Sequence, residues 1–243
     1  MKIEFIEIEK QSSGLLEPDS TINNIPTWFK KTKPIKFLRA SHKKDFTIKK
    51  CIPVLDAFTS GYYLKTKMDI NYSVDEKYKR SQFSFKLKNL EQPKLITMHP
   101  FEQIDQLPLD GDYYEHAYKW SNPFVIKTPP GYSCLFTQPF NQVLPFYTLS
   151  GVVDTDTYPI AVQFPFLMRK GFNGVIKSGT PIVQIIPFKR DDWEMDIITN
   201  PDKQMIYNHS EVNEKFELSR FDDHGNISGG FYKKMYRKIK RFK

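Results

Sequence analysis

Residues able to do chemistry are few in this chain, and two groups of them stand out by type and spacing. Asp154 and Asp156 sit one residue apart in Gly151-Val-Val-Asp-Thr-Asp, with Thr157 and Tyr158 following. Their carboxylates are strong acceptors, and Asp side chains in such a setting commonly take backbone donors and close a tight turn. The second group is residues 231–243, Phe-Tyr-Lys-Lys-Met-Tyr-Arg-Lys-Ile-Lys-Arg-Phe-Lys, with seven Lys or Arg and no acid. The formal net charge is +8, so removing this segment leaves residues 1–230 at about +1. As a helix, the segment would carry Phe231, Met235, Ile239 and Phe242 on one stripe. Lys233, Lys234, Arg237, Lys238, Lys240 and Arg241 would surround that stripe. Such a surface suits nucleic acid or another polyanion, an anionic lipid surface, an acidic partner, or packing on its own domain with a solvated basic face.

Other chemistries lack their residues. Cys51 and Cys134 are too few for a disulfide framework and stand in no metal-type spacing, so a reducing compartment is expected. His99 and His116 have no partner at i+2 or i+4 and read as packing or surface residues, and no metal site is expected. There is no phosphate-binding loop, dinucleotide-binding glycine pattern, G-x-S-x-G or H-E-x-x-H. Met1 to Glu9 carries acids where a signal peptide needs an apolar core, and no apolar run approaches the ~18 residues of a membrane span. A cytoplasmic protein is the expectation.

The elements that must position these residues read as short strands. Runs of β-branched and aromatic residues alternate with Pro and Gly from residue 123 to 190, as in an antiparallel β-domain with tight turns. Strands are predicted at 1–9 (with a bulge), 62–70, 83–87, 124–127, 133–137, 147–153, 160–166 and 182–186. The 62–70 and 83–87 strands are candidates to pair, and the Pro129-Pro130-Gly131 turn is predicted to join two strands. Pro53 to Ser60 reads as a short helix with Gly61 at its left-handed cap. Lys203 to Leu218 is a further helix candidate, and Gly225 to Gly230 a flexible joint. The predicted organisation is an N-terminal strand and loop-rich arm (1–46), a β-domain core (47–200) and a C-terminal extension with the basic helix (201–243). Lys30, Lys31 and Lys33, and Lys43 and Lys44 after His42, read as solvated faces interrupted by acids and prolines.

Four motifs in order, Ser60-Gly61-Tyr62-Tyr63-Leu64, Pro129-Pro130-Gly131-Tyr132, Gly151-Val-Val-Asp-Thr-Asp156 and Gly179-Thr-Pro-Ile-Val-Gln184, resemble successive motifs of the dUTPase and dCTP deaminase superfamily. The resemblance spans scattered segments of residues 57–190 and implies a mainly β fold of the β-clip type. It also implies a homotrimer, because that superfamily builds its sites between subunits. In such an enzyme a carboxylate orients water against a nucleotide phosphate and magnesium absorbs charge. The resemblance then makes Asp154 the water activator, with Asp156 beside it, and Tyr158 and Gln184 ligand-binding. Departures stand at key positions. Tyr63 occurs where the first motif has its metal-holding acid, and Gln138-Pro139 replaces the phosphate-holding Arg-Ser. Thr157 is inserted before Tyr158, and Gln163 falls where the deaminase branch has its catalytic glutamate.

Over the whole chain, Ile25-Pro-Thr-Trp-Phe29, Thr47-Ile-Lys-Lys-Cys-Ile-Pro53 with Gly61-Tyr62, and the run from Thr128 to Trp193 resemble a family of bacteriophage and bacterial proteins without an assigned activity. That resemblance implies phage or prophage origin. The expected function is a non-catalytic binding or structural module on a dUTPase-like β fold, with no cofactor. The alternatives are a divergent nucleotide hydrolase using magnesium and Asp154, and a nucleic-acid or membrane-surface protein acting through its basic tail.

Overall fold

The structure is a computed structural model that describes residues 1–8, 15–40, 42–75, 80–85, 95–104, 106–108, 111–219 and 235. It is mainly β. The strands are β1 (Glu4–Glu7), β2 (Leu16–Ser20), β3 (Ile35–Leu38), β4 (Lys43–Phe46), β5 (Tyr62–Thr66), β6 (Ile70–Asp75), β7 (Arg80–Phe85) and β8 (Ile96–Met98). They continue as β9 (Tyr113–Trp120), β10 (Phe124–Lys127), β11 (Tyr132–Thr137), β12 (Phe146–Thr148), β13 (Gly151–Val153), β14 (Phe164–Arg169), β15 (Gly174–Ile176) and β16 (Pro181–Lys189). The helices are α1 (Thr27–Lys31), α2 (Ile52–Thr59) and α3 (Lys203–Leu218). All strand pairings are antiparallel. The basic tail and the 225–230 joint lie outside the described residues, Met235 excepted.

The chain divides into two compact units. The first comprises Met1–Asn24 and Ser60–Arg190. Its main sheet has the order β13-β11-β16-β5-β2, and a second sheet has the order β12-β14-β9-β8. β16 is central in the first sheet, and its run Ile182, Val183, Gln184, Ile185 is fully buried, which is why it reads as a continuous apolar stretch rather than an alternation. Between the sheets lies an aromatic core in which Trp120 stacks on Phe166 with centroids 4.4 Å apart and planes 18° apart. Phe146 meets both rings edge-on. Among the described residues, eight of the twenty buried in this core are aromatic, each burying a large area through few rotatable bonds, and aliphatic side chains such as Leu64, Ile182 and Ile185 fill much of the rest.

Gly61 fixes the approach to β5. Its φ is +79°, and a Cβ there would lie 2.0 Å from the Ile185 carbonyl oxygen, so only glycine lets the chain pass this close to β16. The helix predicted from Pro53 is α2, and α3 spans the predicted Lys203–Leu218. Several predicted strands divide differently. The 62–70 run breaks after Thr66, and it is β6, not β5, that pairs with β7, Ile70 opposite Phe85. The 147–153 run splits into β12 and β13, which belong to different sheets. The strands flanking Pro129-Pro130-Gly131 also separate, β10 pairing with β1 and β11 with β13 and β16. β1 pairs with β10 in continuous register, without the expected bulge. Residues 160–163 are not in a strand.

The second unit takes in Ile25–Thr59 and the described residues from Asp191 onward. In it Phe29 of α1 is buried against Phe58 of α2 at 5.0 Å, with Trp28 edge-on to both rings. β3 and β4 form a two-stranded hairpin. The 1–46 stretch expected to be loop-rich therefore carries three further strands and a helix. No described helix is long and apolar enough to cross a membrane.

Candidate functional site

Three segments of the first unit converge on the Asp154–Asp156 turn. β11 pairs with β13 so that Cys134 faces Val153, which delivers Asp154 beside Ser133. β11 also pairs with β16, Tyr132 opposite Lys189, which brings Arg190 to the same end of the sheet. The turn is closed by the Asp154 carbonyl, which accepts from the Thr157 and Tyr158 amides at 3.0 and 2.9 Å. Thr155 points inward, its hydroxyl 2.7 Å from that of Thr128.

The chain itself takes both oxygens of Asp156 and one oxygen of Asp154. Asp156 Oδ2 accepts the Gly131 amide at 2.8 Å and Arg190 Nη2, while Oδ1 accepts Arg190 Nη1 at 2.9 Å. Asp154 Oδ1 accepts the Ser133 hydroxyl at 2.6 Å and lies 3.1 Å from Arg190 Nη1. The Arg190 amide in turn donates to the Gly131 carbonyl at 2.8 Å. The Pro-Pro-Gly turn, the Asp turn and the end of β16 are thereby locked together. The two acids differ in exposure: the Asp156 side chain is 6% exposed, that of Asp154 61%. The Arg190 guanidinium, with the Gly131 amide adding to it, holds the Asp156 carboxyl down at about 2. Burial pushes the neighbouring Cys134 thiol up to about 11, which keeps it from serving as a thiolate nucleophile.

Beside this clamp an open cleft of about 820 Å³ is lined by Asp154 and Tyr158, the apolar Val152 and Ile160, and Lys119 and His99. Lys119 has no ion pair and His99 Nδ1 is buried without a hydrogen-bond partner among the described residues. The cleft thus offers a cation and a phenol against an apolar wall, a lining that fits a small anion with an apolar body.

Of the sequence-predicted residues, Asp154, Asp156 and Tyr158 are brought together. Gln184 is not. It is fully buried six residues up β16 from Arg190, roughly 20 Å at strand rise. Its Oε1 accepts the Phe140 amide at 3.0 Å and its Nε2 donates to the Ser60 carbonyl at 2.8 Å, so it works as a staple between loops. Tyr63, at the position of the resembled first-motif acid, is also fully buried and its hydroxyl accepts from Gln142 Nε2 at 3.1 Å. Gln138 Oε1 accepts the Thr148 amide. Lys233, Lys234, Arg237, Lys238, Lys240 and Arg241 lie outside the described residues. Sequence reading missed Arg190, whose partner lies 34 positions away, and Lys119, which reads only as the polar residue between Tyr118 and Trp120.

Magnesium does not fit this donor set. Asp154 and Asp156 share a guanidinium, which fills the position a cation would take, and no third acid, His or Cys completes a ligand group among the described residues. Comparison of the chain with protein-family models, curated proteins and solved structures finds no match.

Proposed function

We propose that this chain is a non-catalytic binding module of phage type, built on a dUTPase-like β-clip framework and binding a ligand in the cleft beside the Asp154–Asp156 turn. The observation that carries this reading is the seat of Arg190. A water-activating carboxylate needs a free lone pair directed at water, and a metal needs open oxygens. Here Arg190 and the Gly131 amide take both oxygens of Asp156, Ser133 and Arg190 take Oδ1 of Asp154, and the same contacts lock the Pro-Pro-Gly turn, the Asp turn and the end of β16 into a rigid rim for the cleft. Lys119 and Tyr158 supply anion recognition and Val152 and Ile160 the apolar wall. The motif order of residues 60–184 supports the β-clip and, with it, a homotrimer.

A second reading rests on Asp154. Its side chain is largely exposed and it lines the cleft, which supports a divergent hydrolase with Asp154 as water activator. One experiment separates the two. Purified protein with magnesium is expected to leave dUTP and dCTP unchanged, and Asp154→Asn to behave like the parent chain. Turnover abolished by that substitution would establish the hydrolase instead.

A further inference from the structure

The near-neutral body conceals two opposed surfaces. Residues 25–59 hold nine Lys or Arg against two Asp, and residues 191–219 hold eight Asp or Glu against two Lys. We propose that the acidic arm of residues 191–219 docks on the basic face of residues 25–50 of a second copy of this chain. This inference is independent of the Arg190 clamp.

The basic face is assembled by the β3–β4 hairpin and α1. Cross-strand register sets Phe37 opposite Lys44 and Leu38 opposite Lys43. Lys49 and Lys50 are spent locally, Lys49 Nζ on the Phe29 carbonyl and ring and Lys50 over the Phe46 ring. Lys30, Lys31, Lys36, Arg39, Lys43 and Lys44 carry no ion pair among the described residues. Among these charges stand exposed apolar side chains, Phe37 at 59% with Trp28, Leu38 and Ile48. A two-stranded hairpin alone is marginal in water, and this one presents the apolar surface that a covering element would use.

The arm has the complementary chemistry. Residues 191–200 run outside any strand or helix, with Trp193 88% and Met195 86% exposed and Ile197 and Ile198 also open. α3 follows, N-capped by the Asp202 side chain, with Met205, Val212 and Phe216 exposed at i, i+7 and i+11 on one face. An apolar surface of this extent is expected to be covered. Ten extended residues reach roughly 33 Å, enough to span a neighbouring subunit's hairpin. A nucleic-acid strand would suit the lysines but would repel the arm and leave its apolar residues bare. A second copy accounts for both surfaces at once, by opposite charge and by apolar contact.

Light scattering and sedimentation of the full chain test this. A dimer or closed ring is expected, weakened by salt. The face variant Lys36→Glu/Lys43→Glu/Lys44→Glu and the arm variant Asp192→Lys/Glu194→Lys/Asp196→Lys should each fall to monomer mass while keeping the parent circular dichroism. Mixing the two should restore association. Trp193→Ala, which removes an exposed side chain and leaves the fold intact, should weaken self-association at least about tenfold even if a triple variant fails to fold. The proposal is overturned by a monomeric parent chain, by masses that neither surface alters, or by folded variants that do not reassociate on mixing. It is also overturned if the face variant loses binding of a single-stranded oligonucleotide while its self-association is unchanged.

Discussion

Arg190 meets Asp156 as a fork on a carboxylate, Nη1 to Oδ1 at 2.9 Å and Nη2 to Oδ2, at the joint of the Pro-Pro-Gly turn, the Asp turn and the end of β16. A planar, permanently charged guanidinium is suited to this bidentate geometry in a way that a lysine is not. The pair ties Asp156 to the end of β16 through both of its carboxylate oxygens.

That tie has a pH signature. Asp156 is held at about 2 against an ordinary 3.8, first by the Arg190 hydrogen bonds and then by the Gly131 amide. A folded value below the unfolded one means that its stabilisation is present above pH about 4 and is lost as pH falls toward 2. Asp19 shares the window. Its burial is outweighed by hydrogen bonds from Asn24, Lys65 and Asn23, which bring it to about 2. Urea midpoints measured across pH 2 to 6 should fall on the acid side in the parent chain and fall less steeply in Arg190→Ala, which loses the Arg190 part of the Asp156 share and keeps the Gly131 part and that of Asp19. An equal acid slope in the two proteins would contradict the tie.

Gly61→Ala should cost about 3 kcal/mol or more, because it combines a positive φ with a Cβ driven into the Ile185 carbonyl. Thermal or urea unfolding reads this directly. A change within about 0.5 kcal/mol would mean that the approach of residue 61 to β16 is looser than described.

Lys119→Ala should weaken binding of an apolar anion at the cleft about tenfold, the loss expected for one charge-assisted contact. Anilinonaphthalene sulfonate serves as the probe, with amide shifts of Asp154, Tyr158 and Ile160 as the local readout. Shifts confined to other regions, or unchanged by the substitution, would remove the cleft from the account.

Much of the β character was legible in the sequence, because Pro and Gly punctuation and β-branched runs act locally. α3 was legible at both ends, and its start is marked by the Asp202 cap. Partners were not legible. The strands on either side of Pro129-Pro130-Gly131 sit four residues apart in sequence yet pair in different sheets, because their edges are satisfied by β1 and by β16 from distant chain segments. The turn at Leu149 and Ser150 that separates β12 from β13 contains neither Pro nor Gly before Gly151, so the run reads as one strand. Of the site, the Asp pair and Tyr158 could be found from the motif order. Arg190 could not, since nothing local distinguishes it from a solvated residue at a strand end, and Gln184 reads as a ligand group although burial commits its amide to backbone.

The engaged state of Asp156 is measured in the intact chain by carbon-detected nuclear magnetic resonance of its side-chain carboxyl across a pH titration. The Asp156 signal should stay in the ionised position until pH approaches about 2, and in Arg190→Ala it should move toward the ordinary carboxylate range. A parent-chain Asp156 that titrates near 3.8, unaffected by Arg190→Ala, would contradict the clamp and with it the non-catalytic reading of the site.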